Sequence, residues 1–179
     1  HIFILGKQVM PSMRALMTAG PALDQDNISG YNCAYAAVDC VEVFSEALYI
    51  SMCGTGFGFH VGREYIAHLP IVPELKETAD IVVVEDSRIG WANGLKELLN
   101  HLYKGCIPGW DMSKIREKGS VLKTFGGRAS GPEPLIDLFE FCVETFKHAK
   151  RSRLESIECH DIMCRIATCV VAGGTRRSA

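Results

Sequence analysis

The sequence predicts an α/β fold, because apolar residues with helical spacing alternate with short segments that have strand spacing. An apolar stripe at positions 41, 44, 48 and 52 predicts an amphipathic helix that ends at about Met52. Glycines at 54, 56 and 58 interrupt this helix, and the alternation of Phe57, Phe59 and Val61 is typical of a strand. Asp39, with Glu42 three residues later, is predicted to cap that first helix.

The middle of the chain repeats this alternation. The apolar run 81–84 predicts a buried strand, and Asp86 and Ser87 after it are typical of a helix start. The helix that follows has an apolar face and is expected to end at Gly105. Residues 110–119 are predicted to be irregular and charged.

The last third contains three further predicted elements. Residues 121–125 read as a strand, and prolines at 132 and 134 then start a helix with an apolar stripe from 135 to 146. A final helix is predicted from about Ser156 to the Gly173-Gly174 pair, with positions 159, 162, 163 and 166 facing inward.

Composition narrows the class of protein. The chain has 179 residues, 47% hydrophobic and 22% charged, which predicts a folded domain with a core of its own. The net charge of −2 provides no basic surface for nucleic acid, and no apolar run reaches the ~18 residues that span a membrane. We expect a cytoplasmic protein. Because it starts at His1 and stops just after a glycine turn, we also expect a segment of something longer.

Eight cysteines are present, but their spacing predicts neither a disulfide framework nor a metal site. No CxxC pair occurs, and His160 with Cys164 lacks further ligands at useful spacing. Cysteines at 159, 164 and 169 lie five residues apart, so on a helix each is rotated ~140° from the last. Most are therefore predicted to be reduced thiols that pack as small hydrophobic residues.

Several glycine-rich segments are candidates for binding nucleotides. Gly54-x-Gly56-x-Gly58 follows a helix and precedes a strand, the reverse of a dinucleotide-binding fingerprint. The loop 126–132 contains Arg128, and the segment 172–179 contains two adjacent arginines whose guanidinium groups suit phosphate oxygens. A solvent-exposed basic turn is the alternative for the second segment.

Six ordered blocks resemble one known family, and they read MPSMRALMTAG, GYNCAYAAVD, MCGTGFGF, VVEDSRIGWANGL, FGGRASGPEPL and VVAGGTRRSA. Together they resemble large chains of ribonucleotide reductase over about 9–179, most closely the adenosylcobalamin-dependent (class II) ribonucleoside-triphosphate reductases. The long stretch 63–119 favours the monomeric type, in which an insertion takes the place of the partner subunit at the effector site.

The resemblance implies a fold and an activity. The chain, 1–179, would be the N-terminal part of a ten-stranded α/β barrel with an inserted helical segment at about 63–119. The whole enzyme would reduce ribonucleoside triphosphates by thiyl-radical chemistry with adenosylcobalamin, under the control of deoxynucleoside triphosphate effectors. A thioredoxin-like dithiol would be the reductant, and the full-length protein would be a monomer. The N-x-C-x-E motif of the radical cysteine does not occur in 1–179, so the radical site is expected beyond it and this segment alone is expected to be inactive.

The resemblance also assigns roles to particular residues. Cys33 matches the first cysteine of the redox pair, Ser12 and Asn32 match substrate-binding segments, and Asp39 and Arg128 match effector-binding positions. The specificity loop that relays the effector's identity to the substrate base would consist of Ala172, Gly173, Gly174, Thr175, Arg176 and Arg177. No residue is predicted to bind a metal, and the cobalamin site is not placed.

Two alternatives remain open from the sequence. One is the large subunit of an iron-dependent (class I) ribonucleoside-diphosphate reductase, which works with a di-metal radical subunit. The other is a non-enzymatic nucleotide-binding regulatory module built from the same glycine loops. An N-x-C-x-E motif beyond position 179 would identify an enzyme.

Overall fold

The computed structural model describes residues 2–121 and 128–172. A short 3₁₀ turn at Asn27–Gly30 precedes the first strand. The other elements, in chain order, are α1 (Ile2–Leu5), α2 (Met13–Thr18), α3 (Pro21–Gln25), β1 (Cys33–Ala37), α4 (Glu42–Met52), β2 (Gly56–His60), α5 (Arg63–Ile66), β3 (Lys76–Val83), α6 (Arg88–Tyr103), β4 (Cys106–Asp111), α7 (Glu133–His148) and α8 (Ser156–Ala172).

Two pairs of parallel strands organise the fold. β1 pairs with β2 from Cys33 opposite Gly56 to Ala37 opposite His60. β3 pairs with β4, with a shift of register between Glu77 and Ile81. Because parallel neighbours cannot be joined by a tight hairpin, each pair needs a crossover connection. Helix α4 provides it for the first pair and α6 for the second, so the described chain contains two β-α-β units.

The four long helices form the core between and beside these units. Helix α4 contacts α6 and α8, and α7 also contacts α6 and α8, so the four helices meet around one apolar interior. Burial of these apolar side chains is the main favourable term in folding. The largest fully buried side chains are Phe44, Phe139, Phe146, Leu48, Leu69, Leu95, Leu98, Leu99, Leu102, Leu135, Leu138 and Leu154.

Helix α6 has the start and the end that its sequence predicts. The Ser87 hydroxyl accepts a hydrogen bond from the backbone N–H of Gly90 at 3.0 Å, which satisfies a donor that the first turn leaves free. At the other end Gly105 has φ of +86°, a conformation that glycine adopts without steric cost. This turn sends the chain directly into β4.

Several local predictions are confirmed and others are wrong. The strand near 57–61 and the helices from 133 and from 156 are present. Asp39, however, does not cap α4, because the N-cap position is Val41 and no side chain caps that helix. Residues 110–111 end strand β4 and are therefore not irregular. The predicted strand 121–125 lies mostly outside the described residues.

The predicted buried strand at 81–84 and the inserted helical segment also need correction. In β3, Ile81 and Val83 are exposed, while Val82 and Val84, the residue just after the strand, are buried, so the sheet has one open face. The segment 63–119 contains the parallel pair β3 and β4 as well as α6, so it is not purely helical. The strands described here form two separate pairs and do not by themselves show a ten-stranded barrel.

Among the residues that the structure describes, no helix is both long enough and apolar enough to cross a bilayer.

We predict that Leu98→Ala lowers the free energy of unfolding by about 2–5 kcal/mol, because Leu98 is fully buried on α6 and its truncation leaves a cavity. Ile89→Ala, at a 58% exposed position of the same helix, is the matched control and should change it by less than about 0.5 kcal/mol. Urea denaturation followed by circular dichroism measures both. Equal losses for the two variants would contradict the packing described for α6.

Candidate functional site

Cys33 is the first residue of β1, and its side chain is exposed. The preceding residue, Asn32, is also exposed, and its carbonyl oxygen accepts a hydrogen bond from the backbone N–H of Gly56 at 3.0 Å. The Thr55 hydroxyl lies within hydrogen-bond distance of the Ile28 and Tyr31 carbonyl oxygens, at 3.0 and 2.9 Å. The start of β2 therefore holds the loop that presents Cys33 to solvent.

The glycine motif at 54, 56 and 58 serves this arrangement. Helix α4 precedes Gly54, and strand β2 contains Gly56 and Gly58. The order is therefore helix then strand, as the sequence predicts and contrary to a dinucleotide fingerprint. Gly54 has φ of +82°, and a Cβ there would lie 3.1 Å from a guanidinium nitrogen of Arg14. The glycine thus permits both a tight turn and the close approach of a buried cation.

The Ser12 segment is tied to the same region through Arg14. Ser12 caps α2 by accepting a hydrogen bond from the Ala15 backbone N–H at 3.0 Å, and its side chain is exposed. Arg14 is only 7% exposed, donating from Nε to the Ser29 carbonyl at 2.7 Å and from Nη2 to the Cys53 carbonyl at 3.3 Å. One buried guanidinium therefore joins α2, the 3₁₀ turn and the end of α4.

A polar cluster of Asp26, Tyr49, Cys53 and Arg88 lies beside this junction. Asp26 accepts hydrogen bonds from the Tyr49 hydroxyl and, at 3.1 Å, from the Cys53 thiol, while Arg88 donates to the Cys53 sulfur at 3.3 Å. Burial opposes ionisation of Asp26, but these hydrogen bonds outweigh it and lower the pKa of the carboxyl group. The hydrogen bond that the Tyr49 hydroxyl donates to Asp26 raises the pKa of Tyr49 to about 12. This cluster favours a fixed carboxylate with neutral phenol and thiol partners.

Cys53 is a structural thiol in this cluster. It is fully buried, and desolvation raises its pKa to about 12, with the Asp26 hydrogen bond acting in the same direction. Because the thiolate is the reactive form, Cys53 is poorly suited to redox chemistry compared with the exposed Cys33.

The predicted effector residues lie in separate loops. Asp39 is exposed just before α4, and its backbone N–H donates to the Ala37 carbonyl at 3.1 Å. Arg128 is exposed and donates from Nη1 to the Gly119 carbonyl at 2.9 Å. Ala172 is the last residue of α8, and the other predicted loop residues, 173–177, lie outside the described residues.

Sequence reasoning missed the residues that hold the Cys33 loop. Arg14 carried a usable signal, because it is the sole charged residue between Lys7 and Asp24 and is surrounded by apolar and small residues. A lone charge in such a segment is either exposed or buried with partners. Thr55 carried no comparable signal, since its role depends on carbonyl groups 24 and 27 residues away.

Comparisons with known proteins agree on one family. A family model described as "B12-dependent ribonucleotide reductase, insertion domain" matches residues 73–145. An adenosylcobalamin-dependent ribonucleoside-triphosphate reductase from Euglena gracilis is 37% identical over 155 residues, which cover 83% of this chain and 21% of that protein. The enzyme of the same name from Lactobacillus leichmannii is 30% identical over 164 residues, covering 72% of this chain and 22% of that protein. The chain spans about a fifth of the length of these relatives.

A solved structure shows the same fold. The crystal structure of a B12-dependent (class II) ribonucleotide reductase superposes with a TM-score of 0.83 over 98% of this chain and 32% of that chain, at 24% identity. The match covers both β-α-β units and the helices around them. The arrangement of strands and helices in this chain is thus a known fold.

We predict that alkylation of the native protein at pH 8 separates the cysteines by exposure. Cys33 should react, as should the exposed Cys40 and Cys164. Cys142 and Cys159, like Cys53 and Cys169, are buried, and burial raises their pKa values to about 12, so only about one thiol in ten thousand is ionised at pH 8.

Mass spectrometry of the labelled peptides measures these rates. In denaturant all eight cysteines should react at similar rates, which is the control. Protection of Cys33 together with rapid labelling of Cys142 would contradict the arrangement of the site.

Proposed function

Because the chain belongs to the class II ribonucleotide reductase family, we propose that the protein containing it reduces ribonucleoside triphosphates to 2′-deoxyribonucleotides. Support comes from the names of relatives that match most of the chain, and from the position of Cys33. Since the chain spans about a fifth of those relatives, the activity is proposed for the whole protein.

The observation that carries this proposal is the exposed thiol of Cys33, held at the start of a parallel strand. In the proposed reaction Cys33 and a second cysteine each supply one electron and one hydrogen. The ribose C2′–O bond breaks, a C2′–H bond forms, the oxygen leaves as water, and the two thiols become a disulfide. A thioredoxin-like dithiol then reduces that disulfide by thiol–disulfide exchange, which returns Cys33 to its starting state.

We assign substrate binding to Ser12 and Asn32. Both are exposed, and both belong to segments tied to the Cys33 loop, Ser12 through Arg14 and Asn32 through its backbone bond to Gly56. The Arg14 contacts thus support a role for α2 in positioning the substrate beside the thiol. The radical cysteine that removes the 3′-hydrogen is assigned to sequence beyond 179.

We assign effector control to Asp39, Arg128 and the loop 172–177. Asp39 lies just before α4, which packs against α6 of the segment that the insertion-domain family model matches. A deoxynucleoside triphosphate bound there would contact both β-α-β units. This supports a monomeric enzyme in which the inserted segment, expected at 63–119, takes the place of a partner subunit.

The similarity to a class II structure also supports a proposal about the larger fold. We propose that β1 and β2 are two strands of a ten-stranded α/β barrel, supported by the TM-score of 0.83 to a class II structure. Their parallel pairing through a crossover helix is the pattern that such barrels repeat.

Adenosylcobalamin is the proposed cofactor, and its chemistry when bound is to generate the radical that starts each turnover. The described residues do not form a site that fits it. Two cavities among these residues have volumes of about 520 and 120 Å³. Pockets for drug-sized ligands measure ~300–1,000 Å³, and a corrin with its nucleotide and adenosyl groups is several times larger than such ligands.

We predict that Cys33→Ser in the full-length enzyme lowers steady-state turnover with a dithiol reductant at least about a hundredfold, because one electron donor of the pair is lost. Radical formation should persist, since it does not use this thiol. Steady-state deoxynucleotide production and electron paramagnetic resonance measure the two effects.

Cys164→Ser is the matched control, because Cys164 is also exposed but belongs to α8 instead of β1. It should retain normal turnover. If Cys33→Ser also retains it, the redox role of Cys33 is wrong.

We predict that Asp39→Ala raises the effector concentration for half-maximal stimulation by about ten- to a hundredfold, the range expected when a charged hydrogen-bond partner is lost. Glu46→Ala, at an exposed position of α4, is the control and should leave it unchanged. Substrate reduction titrated with each deoxynucleoside triphosphate measures the effect. Equal responses of the two variants would remove Asp39 from the effector site.

A further inference from the structure

Asp80, His101 and Cys106 bring three metal-binding side chains together at one end of the β3-α6-β4 unit. One ligand atom from each lies within 4.8 Å of the others, and His101 Nδ1 is 3.7 Å from an Asp80 carboxylate oxygen. The residues belong to three different elements, so their meeting is a product of the fold. This group takes no part in the proposed reaction.

The local backbone explains why Asp80 reaches this place. Between the pairs Glu77 with Ile107 and Ile81 with Gly109, strand β3 has three residues where β4 has only Pro108. Proline has no N–H to donate to a ladder, so the pairing is interrupted there. Asp80 is the last residue of this interruption, and such bulges redirect side chains.

The other two residues are brought together by the turn that ends α6. His101 lies in the last turn of the helix, and Cys106 is the first residue of β4. Gly105, with its positive φ, reverses the chain between them. The His101 side chain is 22% exposed, and that of Asp80 is 58% exposed, so a metal ion can enter from solvent.

We propose that these three residues form a zinc site with a fourth position open to water. Carboxylate, imidazole and thiolate are all zinc ligands, whereas Mg²⁺ and Ca²⁺ prefer oxygen alone. Bonds of ~2.0–2.3 Å in a tetrahedron place neighbouring ligand atoms ~3.3–3.8 Å apart, so the widest separation must close by only about 1 Å. Bound zinc joins the end of α6 to both strands of the sheet.

The test uses Zn²⁺ and Co²⁺ alone, added to the full-length protein after chelator treatment and in a thiol-free reductant. Co²⁺ should produce a thiolate-to-metal charge-transfer band, and Zn²⁺ should displace it. Cys106→Ser should abolish the band, and His101→Gln should weaken Zn²⁺ binding at least about tenfold, since even the loss of outer-shell partners costs that much. Circular dichroism of each metal-free variant checks its fold.

Cys164→Ser is the matched control, because Cys164 also lies next to a histidine, with its sulfur 3.7 Å from a ring nitrogen of His160. It should keep the band. Loss of the band in Cys164→Ser but not in Cys106→Ser, its survival in every variant, or its absence from the unmodified protein would each overturn the proposal.

A second measurement serves if a variant does not fold. In the unmodified protein, Zn²⁺ should slow alkylation of Cys106 at least about tenfold and leave the rate at Cys40, an exposed cysteine outside the group, unchanged. Equal rates at Cys106 with and without Zn²⁺ would overturn the proposal. Neither outcome depends on whether the protein reduces nucleotides.

Discussion

Parallel pairing of strands is the constraint on which the rest of this structure depends. Two parallel neighbours must be joined by a connection that returns to the starting edge, and here a helix provides it each time. Helices α4 and α6 therefore lie on their own strands and also pack against each other. Since α7 and α8 cover both, a single core stabilises the Cys33 strand and the segment that resembles the insertion domain.

Hydrogen bonds between polar groups in the interior further fix this packing. Arg14 is buried against the carbonyl groups of Ser29 and Cys53, and Asp26 receives hydrogen bonds from Tyr49 and Cys53. Loss of one partner from such a network leaves a buried polar group unsatisfied, which is more costly than loss of an exposed hydrogen bond. The loop before Cys33 is therefore held by specific bonds, although the thiol itself faces solvent.

The two β-α-β units carry different chemistry. The first presents an exposed thiol at a strand start, as the redox role proposed for Cys33 requires. The four buried cysteines have environments that disfavour the thiolate. The second unit brings an aspartate, a histidine and a cysteine together, which suits a metal ion. Because α4 packs against α6, each unit helps to stabilise the other.

The sequence by itself determined the elements with strong local signals. The helix from Arg88 to Tyr103 was predictable from Ser87, its apolar face and Gly105, and the α/β class followed from alternating periodicities. Strand β4 was not, because Pro108 and Gly109 resemble a loop and only pairing with β3 makes the segment extended. The predicted Asp39 cap was wrong, because α4 begins at Glu42 and Val41 occupies its N-cap position.

The candidate site also contains both residues that the sequence points to and residues that only the fold brings together. Cys33 and Asn32 were assigned roles from a resemblance carried by their own short motif, and those roles stay predictions. Arg14, Thr55 and the Asp80–His101–Cys106 group were not, because their partners lie from 5 to 39 residues away along the chain. Local sequence sets backbone preferences over a few residues, whereas hydrogen bonds and ligand sets between distant residues exist only after the strands have paired and the helices have packed.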